Sequence, residues 1–323
     1  MHEKIYSRSD FTNTNEVRWC PGCGDYAILA AIQKLLPELG IPPEQHVFIS
    51  GIGCAGRLPY YMNTYGFHTI HGRALAVATG LKAMNDSLCV WVITGDGDAL
   101  SIGGNHFLHC LRRNVDVKIL LFNNQVYGLT KGQFSPTSKC GQITKTSPNG
   151  VDQKPINPLV LALSAGASFV ARAVDKDPNQ LKDILKAAYY HKGSALVEIY
   201  QDCHIFNEGA FDEFTLKNNR AENTVQLVEN MPLIFGKDAN KMLIVEQDKC
   251  VIVNNSDKSS YVHCPSDLTK ATRLALLSYP EYPVPLGIYY QEQRACLSYN
   301  HAIKKTPKDL ELLYRKKASW SQK

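Results

Sequence analysis

Leu88 to Asn124 reads LCVWVITGDGDALSIGGNHFLHCLRRNVDVKILLFNN, and this stretch decides the fold. Leu88 to Thr94 is a short apolar run that stops on Gly95. Ser101 to Arg113 spaces its apolar residues like a helix, and Val117 to Phe122 is a second apolar run that stops on Asn123 and Asn124. A buried strand, a helix and another buried strand make a βαβ unit, whose two strands run parallel. Ligands of such sheets bind beyond the carboxyl ends of the strands, which is where the glycines, aspartates and asparagines of this stretch fall.

The rhythm continues on both sides. Upstream, Asp25 to Leu39 (DYAILAAIQKLLPEL) predicts a helix whose regular part ends at Pro37, His46 to Gly51 a buried strand, and Gly72 to Asn85 a small-residue helix. Downstream, Val126 to Pro158 is rich in Gly, Ser, Thr, Pro and Lys, too long for a simple connection and more like a functional loop. Pro158 to Ala167 and Pro178 to His191 read as helices and Ser194 to Tyr200 as the last core strand, so the core is expected to close near Cys203. The expected fold is α/β, a parallel sheet covered by helices on both faces, over residues 1–222. Residues 223–323 are expected to form a C-terminal extension. In it Met242 to Val245 and Cys250 to Val253 read as short strands, Asp267 to Ser278 as a helix and Pro280 to Pro285 as a proline-marked turn; the charged residues from Lys304 on suggest a surface helix.

Composition narrows the function classes. The 323 residues are 44% apolar and 20% charged, with a formal net charge of +5 and no dense run of Lys and Arg, which argues against nucleic-acid binding but suits an anionic substrate or an acidic partner. Met1-His2-Glu3-Lys4-Ile5 begins no apolar leader and no stretch approaches the ~20 apolar residues of a membrane helix, so a cytoplasmic, soluble protein is expected. Ten cysteines in that compartment are not a disulfide framework; their spacing has to be read as metal chemistry or as buried thiols.

Two strand ends carry the diphosphate chemistry. Magnesium is a hard octahedral cation, held by one or two protein oxygens together with the phosphates of its partner. Asp96, the Asn124 side chain and the Val126 carbonyl supply such a set, while Gly95 and Gly97 let the backbone approach a diphosphate and the following helix offers free N–H groups. Gly-Asp-Gly alone is a common turn; followed by Asn124 at the next strand end it is the thiamine diphosphate motif. Asp98 either orients the phosphate site or caps the following helix, and His71, at the start of the Ala-rich helix, either meets the diphosphate or is structural.

The second constellation is sulfur. Cys20 and Cys23 form C-x-x-C in a tight turn (WCPGCG), Cys54 sits at another strand end (GIGCAGR), and Cys203 follows the strand ending at Tyr200. Four thiolates suit a structural zinc ion or a [4Fe-4S] cluster, a thioredoxin-like pair is open for C-x-x-C alone, and spacing does not separate them. Proximity to a cofactor able to deliver electrons favours the cluster. Cys89, Cys110, Cys140, Cys250, Cys264 and Cys296 read as small buried apolar residues or incidental thiols.

WCPGCG, GIGCAGR, HGRALAVATGLK, GDGDALSIGGNH and LLFNNQVYGLTKGQ, in this order from Trp19 to Phe214, closely resemble the β subunits of 2-oxoacid:ferredoxin oxidoreductases, most of all those acting on 2-oxoglutarate. PEYPVPLGI, Pro280 to Ile288, also looks like that family's C-terminal region; Glu246 to Tyr261 does not. The resemblance implies a chain that binds thiamine diphosphate, magnesium and one [4Fe-4S] cluster, with Cys20, Cys23, Cys54 and Cys203 as cluster ligands. Gly128, Leu129 and Thr130 would join the cofactor site. It implies an α subunit that supplies the activating glutamate, in an αβ or (αβ)2 assembly, and ferredoxin as electron partner. The implied reaction is oxidative decarboxylation of a 2-oxoacid with coenzyme A, or its reversal. Lys131, just past the magnesium site, and Arg57, three positions after Cys54, match family positions near the substrate carboxylates; the plainer alternative for both is a solvated surface charge. An arginine at 57 favours a dicarboxylic substrate, so 2-oxoglutarate giving succinyl-CoA is expected ahead of pyruvate or another 2-oxoacid.

Overall fold

A computed structural model describes residues 5–247, 249–255 and 261–297. In chain order the elements are α1 (Asp25–Leu35), β1 (His46–Ser50), β2 (Tyr65–His68), α2 (Ala74–Met84), β3 (Cys89–Gly95), α3 (Asp96–Leu100), α4 (Gly104–Arg112), β4 (Lys118–Asn123), α5 (Pro158–Ser164), β5 (Phe169–Val174), α6 (Pro178–Tyr190) and β6 (Ala195–Tyr200). There follow α7 (Asp212–Thr215), α8 (Lys217–Asn223), β7 (Thr224–Leu227), β8 (Ile234–Phe235), β9 (Lys241–Glu246), β10 (Lys249–Asn254), α9 (Leu268–Ala275) and β11 (Val284–Gln291). The charged tail from Lys304 and the residues Met1 to Lys4 lie outside the described residues.

The central sheet has the order β2-β1-β3-β4-β6-β5-β11-β7. All pairs from β2 to β5 are parallel, β11 runs antiparallel to β5, and β7 is parallel to β11. Side chains of β1, β3 and β4 alternate between two cores: Val47, Ile49, Val92, Ile119 and Leu121 pack under α2, α4, α5 and α9, whereas Phe48, Trp91, Ile93, Leu120 and Phe122 pack under α1 and α6. Both faces are therefore dry, and the middle of each of these strands is apolar on both sides for that reason, with polar residues only at the strand ends. The helices start where local chemistry dictates. Asn157 caps α5 by accepting from Leu159 and Val160 N–H, Asp177 caps α6 by accepting from Gln180 N–H, and each helix has proline at its first residue.

Several expectations need correction. The core does not close near Cys203, because β11 and β7, both beyond residue 223, continue the same sheet. The smaller β10-β9-β8 sheet is the part of that region standing apart from it. Pro280 to Pro285 is more than a turn, since β11 begins at Val284. On its β5 side β11 pairs only from Gly287 onward, so Pro285 interrupts no bond of that ladder, while on the other side it lies beside Val225 of β7. Strand β5 hides in the sequence behind Arg172, a charge that is buried in the fold by its pairing with Glu198. Strand β2 is an exposed edge with no apolar pattern to reveal it. The helix expected from Ser101 begins earlier, at Asp96, and breaks at Ser101 to Gly103 before resuming as α4.

Candidate functional site

The carboxyl ends of β1, β3, β4 and β6 are level, with Ser50 beside Ile93, Gly95 beside Phe122, and Asn123 beside Tyr200. Everything that follows these strands meets at one edge. A solvent-open cleft of roughly 530 Å³ there is lined by Cys54, Gly95, Asp96, Gly97, Asp98, Asn124, Val126, Gly128, Leu129 and Thr130. Ten of the positions singled out in the sequence thus come together. Asp25, Tyr127 and Gln201 also line it and were not foreseen.

Asp96 is 2% exposed, and burial pushes its carboxyl up to about 6 against the opposing bonds of Ser135 and Thr137. Both hydroxyls converge on Oδ2, from Ser135 Oγ at 2.6 Å and Thr137 Oγ1 at 2.5 Å. Thr137 Oγ1 also lies 2.9 Å from Asn123 Oδ1, and Asn123 Nδ2 donates to Glu198 Oε1 at 2.7 Å. Glu198 Oε2 in turn accepts from Arg172 Nε at 2.7 Å, and Arg172 Nη1 donates to the Tyr289 hydroxyl at 3.0 Å. A chain of buried polar groups therefore runs from the strand end at Asp96 across four strands to β11. The long Val126 to Pro158 loop contributes Ser135 and Thr137, which a sequence reading passes over because hydroxyls in a polar loop carry no pattern.

Asp98 faces the scaffold. Its Oδ1 accepts from His71 Nδ1 and Gly72 N–H, both at 2.7 Å, and its Oδ2 from Thr94 Oγ1 at 2.8 Å. It caps neither α3 nor α4, whose caps are Gly95 and Gly103. His71 is drawn into this scaffold and does not line the cleft. Gly51 and Gly97 have no room for side chains: a Cβ would fall 1.6 Å from Asp98 Oδ2 in the first case and 2.2 Å from the Tyr127 ring in the second. Tyr127 closes the wall by donating its hydroxyl to the Gly97 carbonyl at 2.9 Å.

Beside the cleft, a cavity of roughly 560 Å³ is lined by all four expected thiols, Cys20, Cys23, Cys54 and Cys203, together with Arg18, Trp19, Arg57, Lys131 and His204. Cys54, Gly128 and Leu129 line both spaces and form the wall between them. A Cβ on Gly128 would lie 3.3 Å from Cys203 Sγ and 4.0 Å from Cys54 Sγ, so glycine is what lets the backbone pass. The C-x-x-C turn closes through Cys23 N–H on the Cys20 carbonyl and is pinned to the end of β6 by Gly24 N–H on the Asp202 carbonyl, each 3.1 Å. Trp19 Nε1 holds the Cys54 carbonyl at 2.8 Å.

Burial raises these thiols: Cys54 to about 12, Cys203 upward, and Cys23 well above the ordinary thiol range with the Asp25 carboxylate adding to the effect. The backbone N–H groups of Phe206, Ile205 and Asn207 work the other way on Cys203. Asp25 itself is 1% exposed and pushed up to about 7 by burial. Its two oxygens meet no nitrogen or oxygen donor; the Cys23 thiol bonds to it, and the Asp175 carboxylate nearby adds to the rise. Four sulfurs gathered around one cavity beside a buried carboxylate form a donor set that an iron or zinc centre would suit. Asp96 has no ion-pair partner among the described residues, and a divalent cation would suit its carboxylate. The donor sets therefore fit the groups that the sequence suggested. Among the described residues no three His, Cys, Asp or Glu converge closely enough to hold a single metal ion, and no helix is long and apolar enough to cross a membrane.

Comparison with known proteins bears on the whole arrangement. Residues 51–199 match the family described as thiamine pyrophosphate enzyme, C-terminal TPP binding domain. The chain is 57% identical over 235 residues to the 2-oxoglutarate oxidoreductase subunit KorB of Mycobacterium tuberculosis, covering 73% of this chain and 63% of that one. It is 38% identical to the 2-oxoglutarate synthase subunit KorB of Methanocaldococcus jannaschii, covering 66% of this chain and 77% of that one. Against a solved 2-oxoglutarate:ferredoxin oxidoreductase from Magnetococcus marinus, with 2-oxoglutarate, coenzyme A and succinyl-CoA bound, the TM-score is 0.77 at 32% identity, with 97% of each chain covered. The chain spans less than two thirds of the length of the Mycobacterium relative. With that fold, the paired strand ends and the level of identity in hand, the chain belongs to the family of 2-oxoacid:ferredoxin oxidoreductase β subunits.

Proposed function

We propose that this chain is the β subunit of a 2-oxoglutarate:ferredoxin oxidoreductase, holding magnesium and thiamine diphosphate in the cleft at Asp96 and a [4Fe-4S] cluster in the cavity of the four cysteines. The observation that carries the reading is the shared wall: Cys54, Gly128 and Leu129 line both spaces, so an electron leaving one has a single layer of residues to cross before the other. Thiamine diphosphate supplies the carbon nucleophile and electron sink for decarboxylation, and the cluster supplies a one-electron path outward.

The chain's own residues do the positioning. Asp96, the Asn124 side chain and the Val126 carbonyl would hold magnesium, with Asp96 kept in place by Ser135 and Thr137. Gly95 and Gly97 leave the backbone open to the diphosphate, and Asp98 with His71 keeps the turn beneath it rigid. Cys20, Cys23, Cys54 and Cys203 would ligate the cluster. Their sulfurs line the walls of one cavity instead of converging on a point, which suits four irons with one thiolate each better than a single zinc with four sulfurs at ~2.3 Å.

Arg57 and Lys131 sit on the cysteine side of the wall, where two cations would grip the two carboxylates of 2-oxoglutarate. The α subunit would supply the activating glutamate, coenzyme A would take the acyl group, and ferredoxin the electrons. The test is the complex purified without oxygen, assayed with coenzyme A and a ferredoxin. Turnover of 2-oxoglutarate in preference to pyruvate, with a KM at least tenfold higher in Arg57→Ala, is expected. Preference for pyruvate would overturn the substrate assignment, and no 2-oxoacid turnover at all would overturn the function.

A further inference from the structure

Gln201 follows directly on β6 and is 1% exposed. Its Oε1 accepts from Asn124 Nδ2 at 2.9 Å, and its Nε2 donates to Cys23 Sγ at 3.3 Å and to the Asp202 carbonyl at 2.6 Å. One buried carboxamide thus touches a magnesium ligand and a cluster ligand of the function proposed above, and this inference rests on that reading. Its orientation is dictated from both ends. Val126 N–H can only donate, and it does so to Asn124 Oδ1 at 3.1 Å; the Asp202 carbonyl can only accept. Turning either amide would set N–H against N–H or oxygen against oxygen, so the donor facing Cys23 is fixed by backbone groups outside the pair.

We propose that Gln201 is a positioning residue that couples the two cofactor sites, orienting Asn124 through its oxygen and tuning the cluster through its N–H on Cys23. A hydrogen bond to a ligating sulfur stabilises the reduced, more negative cluster and raises its potential. A cation on Asn124 Oδ1 polarises that amide, strengthening its donation to Gln201 and, one bond further, the donation of Gln201 to Cys23. Loading of the diphosphate site therefore raises the cluster's potential. By linkage, reduction of the cluster tightens magnesium and diphosphate binding by the same factor.

The experiment uses the oxygen-free αβ complex, with the cluster followed by EPR-monitored redox titration with and without magnesium and thiamine diphosphate. In the wild type the midpoint rises on cofactor binding. Gln201→Leu should lower the midpoint by up to about tenfold in the reduction equilibrium, ~59 mV for one electron, abolish its response to the cofactor, and weaken magnesium-dependent cofactor affinity several-fold. Gln201→Glu keeps an acceptor for Asn124 but sets an oxygen against Cys23 Sγ and the Asp202 carbonyl, so the midpoint falls. Variants with full iron and sulfide but a wild-type midpoint overturn the proposal. Should both variants fail to load a cluster, ENDOR of the reduced wild type decides: an exchangeable deuteron coupled to the cluster from the Gln201 amide supports it, and the lack of one overturns it. A wild-type complex free of iron and sulfide would instead remove the reading on which the proposal rests.

Discussion

Asp96 and Asp98 lie on one turn, are almost equally buried, and have opposite tasks because of what surrounds each. Asp98 spends its oxygens on His71, Gly72 and Thr94, all part of the scaffold, while Asp96 receives two hydroxyls on one oxygen and no cation. A hydrogen bond to a charged group contributes about 1.5–3 kcal/mol, so Thr137→Val should raise the apparent Kd for magnesium by about tenfold or more with the fold intact. Magnesium titration of thiamine diphosphate binding checks this; an unchanged Kd would remove Thr137 from the site. The sequence shows Asp96 through its glycine neighbours, but the two hydroxyls, drawn from a loop about forty residues on, are visible only when the loop is folded back. His46 illustrates a residue effect that belongs to stability. Buried under Trp91 Nε1, it is pushed down to about 4 by desolvation and stays neutral. Because the unfolded imidazole titrates at ~6.5, the stability this residue contributes is complete above that pH and is lost as pH falls toward 4, by up to ~3 kcal/mol. Denaturant unfolding at pH 7.5 and 4.5 should show the difference between wild type and His46→Asn shrinking at the lower pH. A constant difference would mean that His46 titrates normally.

At the scale of elements, the site is a set of strand ends held level by register, with glycines wherever one turn passes close to another. Gly128 is the one whose added Cβ would meet the thiol sulfurs themselves. Gly128→Ala should reduce the iron held per chain by at least half while leaving the circular dichroism spectrum unchanged, because the new Cβ needs the space beside Cys203 Sγ and Cys54 Sγ. Gly80→Ala, on the open face of α2 with nothing within 4 Å, is the matching control and should keep full iron and gain about 1 kcal/mol of stability from helix propensity. Equal iron in both variants would mean that the wall at Gly128 does not shape the cysteine cavity. Elements with one dominant signal were legible: β1, β3 and β4 from their apolar centres, β6 from an apolar run broken only by Glu198, and α5 and α6 from the prolines at their starts. Those missed had a signal that pointed elsewhere. Arg172 masks β5 until Glu198 is seen beside it, and Pro285 masks β11 until its pairing with β5 is seen to begin at Gly287.

For the whole molecule, the polar chain from Asp96 through Asn123, Glu198 and Arg172 to Tyr289 joins the cofactor edge to a strand supplied from beyond residue 223. Truncation after residue 222 would strip β11 and β7 from the sheet, leave β5 as a raw edge and take Tyr289 from the buried Arg172. The fragment 1–222 should therefore be insoluble or lack a cooperative unfolding transition, whereas 1–297 should melt as one unit. A 1–222 fragment as stable as the longer chain would show that the two strands are ornamental. The sequence exposes the family and the ligand types of this molecule, but not this dependence, because long-range pairing of a masked strand leaves no local pattern. The proposed function needs two cofactors side by side in one chain, and the most direct measurement is the composition of the αβ complex isolated without oxygen. About four iron, four sulfide, one magnesium and one thiamine diphosphate per chain are predicted, with the brown absorption of a cluster. A colourless complex containing stoichiometric zinc, or one without thiamine diphosphate, would contradict it.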